Sequence, residues 1–99
     1  MKSIDVVKIL GALAQESRLE VFRLLVRKGS KGMAAGELSC YFGLPPATMS
    51  FHLKELNGAG LITSRRESRS IIYSANYAHM QKLINFLLEN CCADNGGKC

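Results

Sequence analysis

The sequence predicts a mainly α-helical fold that carries one small β-hairpin. Apolar residues recur at helical spacing in several segments, and the pattern changes to short β-prone runs only between residues 61 and 74. The 99 residues, 47% of them hydrophobic, are enough for one compact domain and too few for two. We expect this domain to span residues 1–92, followed by a flexible, glycine-containing tail over residues 93–99.

Two amphipathic helices are expected first. The stripe of the first helix, between Ile4 and Ala14, consists of Val6, Ile9, Leu10 and Leu13. The stripe of the second consists of Leu19, Phe22, Leu25 and Val26. A capping box formed by Ser17 and Glu20 is predicted to begin the second helix, and the glycines at 29 and 32 to end it.

A short third helix and a longer fourth helix follow, separated by a proline-containing break. Leu38 and Phe42 lie four residues apart in the third helix, over residues 34–42. The fourth is expected from about Pro46 to Asn57, because proline is well placed in a first turn. Its buried face is predicted to consist of Met49, Leu53 and Leu56.

The hairpin and a last helix complete the chain. Two β-prone runs, residues 61–65 and 71–74, flank a charged turn over residues 66–70. The last helix, capped by Ser74 or Asn76, has an apolar stripe made of Met80, Leu83, Ile84, Leu87 and Leu88.

This order of elements is typical of a winged helix-turn-helix. A short helix, a tight turn and a helix with small polar residues near its start allow close approach to base edges in the major groove. The net charge of +5 favours a polyanionic partner. We expect the fourth helix and the hairpin to contact DNA through Ala47, Thr48, Ser50, Phe51, His52, Lys54, Arg65, Arg66 and Arg69.

Two alternatives to these contacts stay open. The arginines of the hairpin could merely make an exposed turn soluble, and His52, next to Leu53, could pack in the core.

No run of about eighteen apolar residues is present, and the N-terminus lacks the features of a signal peptide. We therefore expect no membrane span and a cytoplasmic protein whose thiols are kept reduced.

Four segments of the sequence resemble one family closely. Residues 14–19 (AQESRL), 48–56 (TMSFHLKEL), 59–62 (AGLI) and 69–74 (RSIIYS) are similar, in this order, to the ArsR/SmtB family of bacterial repressors. The resemblance spans residues 5–92. It implies a homodimer built on the first and last helices, which presents two recognition helices to a palindromic operator. It also implies that binding of an inducer weakens DNA affinity.

The family's metal sites have to be compared residue by residue. A Cys-x-Cys pair in the third helix is absent, because Ser39, Cys40 and Tyr41 follow Glu37-Leu38. A site with an early Asp-x-His pair and late ligands in the last helix is also broken, since Tyr77 stands in the first place. What remains is the set of Cys91, Cys92 and Cys99, which resembles the C-terminal sensor of an arsenic-responsive subgroup.

Three thiolates suit a soft, pyramidal ion, As(III) or Sb(III), whereas zinc prefers four ligands in a tetrahedron. The sequence therefore predicts an arsenite-responsive repressor that leaves its operator when the metalloid binds Cys91, Cys92 and Cys99. Oxidation sensing by the same thiols, and a purely structural role for them, stay open. Cys40 is predicted to be a small buried hydrophobic residue. An enzyme is not expected, since a Cys-x-x-Cys motif, a phosphate-binding loop and βαβ alternation are all lacking.

Overall fold

A computed structural model of the chain describes residues 1–96 and contains five α-helices and a small antiparallel sheet. The helices are α1 (Ser3–Leu13), α2 (Glu16–Lys28), α3 (Ala35–Phe42), α4 (Pro46–Gly58) and α5 (Tyr77–Leu88). The strands are β1 (Met33–Ala34), β2 (Ile62–Glu67) and β3 (Ser70–Ala75). Short 3₁₀ turns occupy Gly29–Lys31 and Ala93–Asn95. The predicted fold class is confirmed.

The start of α2 differs from the prediction. The N-cap is Gln15, whose side-chain oxygen accepts a hydrogen bond from the backbone N–H of Arg18 at 2.8 Å. The predicted capping box at Ser17 is therefore wrong, since Ser17 already lies inside the helix. At α5 one of the two predicted caps is confirmed, because the Asn76 side chain accepts a hydrogen bond from the N–H of His79.

The sheet has three strands in the order β1-β3-β2, one more than the sequence predicts. The additional strand pairs Met33 with Tyr73 and joins the start of α3 to the hairpin. Gly32, with φ of 64°, precedes it, and a Cβ there would lie 2.3 Å from the carbonyl oxygen of Tyr73. The close approach of β3 therefore requires glycine at this position.

The hairpin is longer and its turn tighter than predicted. Glu67 pairs with Ser70, so the turn consists of Ser68 and Arg69 alone, with Ser68 at φ of 55°. Charged residues 66 and 67 are consequently part of strand β2. They pair through their backbone while their side chains lie in solvent, which a hydrophobicity pattern does not reveal.

The core is contributed mainly by α1, α2, α4 and the base of the hairpin. The predicted buried face of α4 is confirmed, because Met49, Leu53 and Leu56 are almost fully inaccessible. The largest fully buried side chains elsewhere are Ile9, Val21, Leu25, Leu38, Leu61 and Ile62. This core holds α4 against α2 with its opposite face open to solvent.

Apolar side chains on α1 and α5 remain outside this core. In α5 only Leu83 of the predicted stripe is buried, while Leu88 is 63% exposed. In α1, Ile4 is 76% exposed. The exposed aliphatic side chains of these two helices are Ile4, Val7, Leu10, Ile84, Leu87 and Leu88.

None of the helices formed by residues 1–96 combines the length and the apolar character needed to cross a membrane.

Candidate nucleic-acid interface and thiol site

The turn between α3 and α4 sets the direction of the predicted recognition helix. Gly43 adopts the left-handed conformation, and the N–H of Leu44 donates to the carbonyl of Ser39 at 3.1 Å. This closes α3 in the manner of a Schellman motif. Pro45 is extended and Pro46 occupies the first turn of α4, where its missing N–H costs nothing.

The outer face of α4 holds most of the predicted DNA-contacting side chains. Five of them share this face and are exposed: Ala47, Thr48, Ser50, Phe51 and Lys54. The face combines a small residue, two hydroxyls, one aromatic ring and one cation. Such a surface can approach base edges closely and contact a thymine methyl group.

His52 lies apart from this set. Its side chain is only 7% exposed and faces α2, where Arg18 Nη1 lies 3.4 Å from His52 Nδ1. Burial, and secondarily the positive charge of Arg18, lower the pKa of His52 below its usual value of 6.5. This burial does not fit the predicted contact of His52 with DNA. It fits the alternative left open by the sequence, that His52 packs in the core.

Arg65 is already engaged within the protein. Its guanidinium donates to the carbonyl oxygens of Ser30 (3.0 Å) and Lys31 (2.9 Å), to Ser74 Oγ (3.0 Å) and to the carboxylate of Glu67. It thereby fixes the base of the hairpin to the 3₁₀ turn after α2. Arg65 therefore has a structural role, while its predicted DNA contact stays a prediction, since its side chain is 43% exposed.

Arg66 and Arg69, in contrast, have exposed side chains near the tip of the hairpin. Within the described part of the chain, neither takes part in an ion pair. These two arginines and Lys54 are the predicted cationic contacts whose charge the structure leaves available to a phosphate backbone.

The predicted thiol site follows the end of α5. The helix ends at Leu88, and Glu89 is extended with ψ of 132°. Asn90 and Cys92 have positive φ, and the resulting turn brings Cys91 Sγ within 3.5 Å of Cys92 Sγ. Cys91 is exposed and Cys92 half-buried, and Cys92 is disulfide-bonded. The exposure of Cys91 shows that it does not pack in the core of this chain.

The predicted third sulfur, that of Cys99, lies outside the described residues. Within residues 1–96, no three His, Cys, Asp or Glu side chains come together as a metal site.

Cys40 is exposed, so its predicted burial is wrong. The buried face of α3 is defined by Leu38, and a residue two positions later projects to the other side of a helix with 3.6 residues per turn.

Comparison with known proteins identifies the fold independently. A family model described as a helix-turn-helix domain matches residues 13–65. Transcriptional activator HlyU of Vibrio cholerae is 29% identical over 93 residues, which cover 94% of this chain and 83% of that protein. Transcriptional repressor SdpR of Bacillus subtilis is 31% identical over 80 residues, covering 81% and 86%.

Solved structures agree with this assignment. An ArsR-like transcriptional regulator from Rhodococcus sp. RHA1 superposes with a TM-score of 0.79 at 26% identity, covering 92% of this chain and 82% of that one. A homodimeric winged helix-turn-helix DNA-binding domain from Mycobacterium bovis gives 0.70 at 26% identity, covering 88% and 81%. The chain therefore belongs to the ArsR/SmtB family of winged helix-turn-helix transcriptional regulators.

Proposed function

We propose that this chain is a homodimeric repressor that binds operator DNA and is released when As(III) or Sb(III) binds its C-terminal cysteines. The observation that carries the inducer assignment is the 3.5 Å separation of the Cys91 and Cys92 sulfurs directly after α5. The DNA-binding part is supported by the exposed outer face of α4 beside a basic hairpin.

A second copy of this chain is the proposed occupant of the apolar surface of α1 and α5. Large apolar side chains that are exposed on two helices of one domain are typical of an interaction surface. The related domain from Mycobacterium bovis is described as homodimeric. A two-fold dimer through these helices would turn two recognition helices toward the same side of a duplex, spaced about one helical turn, ~34 Å, apart.

On DNA, α4 would enter the major groove and the hairpin would follow the adjacent backbone. Thr48, Ser50 and Phe51 would contact base edges, with Ala47 permitting the close approach. Lys54, Arg66 and Arg69 would neutralise phosphates, which supplies affinity more than sequence preference. A bound dimer over a promoter represses transcription by excluding the polymerase.

The two neighbouring sulfurs fit a single soft ion. With metal–sulfur bonds of ~2.3 Å and a bond angle of about 100°, two sulfurs of one site are roughly 3.5 Å apart. Cys99 would supply the third sulfur. Binding of arsenite, As(OH)₃, then forms three As–S bonds and releases three waters, built from its hydroxides and the thiol protons. The disulfide of Cys92 has to be reduced before this reaction.

The thiol site directly follows α5, one of the two helices of the proposed dimer interface. Drawing Cys91, Cys92 and Cys99 onto one ion would fix the chain segment that follows Glu89, the C-cap of the interface helix. A change in the packing of α5 alters the relative orientation of the two recognition helices. A coupling of about 3 kcal/mol between inducer and operator is sufficient for a release of roughly two decades in affinity.

The test is a gel-shift titration of reduced protein with arsenite. The probe is a DNA duplex that the wild-type chain enriches from a random-sequence pool. We expect release by arsenite from the wild type and from Cys40→Ser, and no release from Cys91→Ser or Cys92→Ser. Unchanged release from either of the last two variants would contradict the inducer assignment, while absence of any enriched duplex would contradict DNA binding itself.

A redox switch that uses the same thiols is the second candidate, and the disulfide of Cys92 favours it. In this mechanism two thiols lose two protons and two electrons to hydrogen peroxide, which becomes two waters, and a disulfide forms. Peroxide in metal-free buffer would then release the duplex, and a thiol reductant would restore binding. Release by arsenite from fully reduced protein, without any effect of peroxide, would exclude this candidate.

A further inference from the structure

One guanidinium connects the end of α1 to both sides of the recognition helix. It belongs to Arg18, in the first turn of α2, a residue outside the predicted DNA-contacting set. Arg18 Nε donates to the carbonyl oxygen of Ala12 at 2.8 Å, and Nη1 lies 3.4 Å from His52 Nδ1. The guanidinium carbon also lies 5.9 Å from the centroid of the Phe51 ring.

The contact with Ala12 satisfies the C-terminus of α1. Ala12 lies in the last turn of that helix, where carbonyl groups lack an intrahelical partner and the helix dipole attracts a cation. Arg18 itself is in the first turn of α2, where the dipole disfavours a positive charge. The charge of Arg18 therefore destabilises the start of α2, while its contacts stabilise the junction between α1 and α4.

The contact with His52 defines a proton arrangement. A guanidinium has five donors and no acceptor, so a hydrogen bond between Arg18 and His52 requires the tautomer in which Nδ1 accepts and Nε2 carries the proton. His52 is buried, and the residue before it, Phe51, is 54% exposed on the outer face of α4. Arg18 thus touches one residue that anchors the helix and one that is directed toward solvent.

We propose that Arg18 is a positioning residue that holds Phe51 and α4 in register with α1, and that it sets operator affinity without touching DNA. This rests on the proposed function only in that α4 faces the operator. The cation–π contact restricts the orientation of the Phe51 ring, and the hydrogen bond to Ala12 fixes the position of the Arg18 guanidinium. Displacement of α1 relative to α4 therefore shifts an aromatic side chain on the DNA-facing surface.

The test compares Arg18→Gln with Arg23→Gln, which removes the same charge from the exposed face of α2, where Arg23 pairs with Glu20. Duplex affinity is measured by fluorescence anisotropy over a range of NaCl concentrations, with the enriched duplex as probe. We expect Arg18→Gln to bind about tenfold more weakly, equivalent to ~1.4 kcal/mol. The slope of log K against log salt should stay unchanged, and Arg23→Gln should bind like the wild type.

A phosphate contact would give a different result. Loss of one phosphate contact reduces the salt slope by about one, so a shallower slope for Arg18→Gln would overturn the proposal. Affinity equal to that of the wild type would also overturn it. Coupling to Phe51 is tested by Phe51→Leu, in whose background Arg18→Gln should have a much smaller effect; additive effects would contradict the proposed route.

Two further measurements separate positioning from stability. Arg18→Lys keeps the charge, but one ammonium cannot bridge Ala12 and His52 as a planar fork does, so we expect no rescue of affinity. In NMR titrations, Arg18→Gln should raise the pKa of His52 toward its usual value even without DNA; an unchanged pKa would overturn the contact. Failure of the wild type to bind any duplex would instead refute the proposed function and leave this NMR outcome intact.

Discussion

Arg65 donates from its guanidinium to the backbone carbonyl oxygen of Lys31 at 2.9 Å, which ties the hairpin to the 3₁₀ turn that ends the α2 region. The same side chain binds Ser30, Ser74 and Glu67, so four of its five N–H donors are used within the protein. A residue that the sequence predicts to contact DNA therefore fixes the base of the hairpin to the turn after α2.

Arg65 and Arg66 are expected to respond differently to the same substitution. Arg65→Gln should lower the free energy of unfolding by about 1 kcal/mol, because several charged hydrogen bonds are lost at a partly exposed site. Arg66→Gln should leave stability unchanged and reduce the salt slope of duplex binding by about one. Urea unfolding and anisotropy measure the two effects. A salt slope reduced equally by both substitutions would return Arg65 to the DNA contacts.

The proposed dimer interface is tested by placing a charge among the exposed apolar side chains of α1 and α5. Ile84→Lys and Val7→Lys should each convert the dimer into a monomer in analytical ultracentrifugation. Operator affinity should fall by at least about tenfold, because two linked half-site contacts become independent. Val26→Lys, at an exposed apolar position of α2, is the matched control and should stay dimeric. A dimer that persists in both test variants would place the interface elsewhere.

Because His52 is buried, we expect the folded protein to lose stability in mild acid. Its pKa is lowered in the folded state, so stability is constant well above 6.5 and falls as pH decreases from 6.5 toward the folded pKa. In that window the unfolded chain binds a proton that the folded chain excludes, with a slope of at most about 1.4 kcal/mol per pH unit. His52→Gln should flatten this part of the pH profile, as measured by thermal unfolding. An equally steep profile in the variant would assign the effect to another group.

Gly32 is predicted to be intolerant of substitution. Its φ of 64° and the 2.3 Å distance that an added Cβ would have to the Tyr73 carbonyl oxygen predict that Gly32→Ala is destabilised by about 2 kcal/mol or more. Gly36→Ala, within α3 and with open space around the added methyl group, should instead gain about 0.5–1 kcal/mol. Chemical denaturation of both variants checks the contrast, which would fail if the two glycines behaved alike.

Most of the fold is predictable from sequence because its helices have strong apolar periodicity. The buried face of α4 and the cap at Asn76 follow from local patterns that the tertiary structure reinforces. Strand β1 is not predictable in this way, since two residues contain no alternation and its pairing with β3 depends on contacts some forty positions away. The exposure of Cys40 follows from its place relative to Leu38 on the helix, a stronger signal than the usual burial of cysteine.

The sequence predicts which side chains of the candidate site lie on an exposed helix face. It does not predict which of them are held by contacts with residues distant in the sequence. The exposed outer face of α4 follows from helical periodicity alone. The inward orientation of His52 and the internal bonds of Arg65 depend on residues 34 and 35 positions away in sequence, Arg18 and Ser30. Arg18 itself carries one local signal: a cation in the first turn of a helix, where the dipole disfavours it, indicates a partner outside that helix.

Release of DNA by arsenite bound to the C-terminal cysteines is tested most directly by counting reactive thiols in reduced protein during arsenite titration, with duplex binding followed in the same samples. Each chain has four cysteines. We expect one equivalent of arsenite per chain to protect Cys91, Cys92 and Cys99, to leave Cys40 reactive and to release the duplex over the same concentration range. Release of the duplex with all four thiols still reactive, or protection of the thiols with the duplex still bound, would contradict this mechanism.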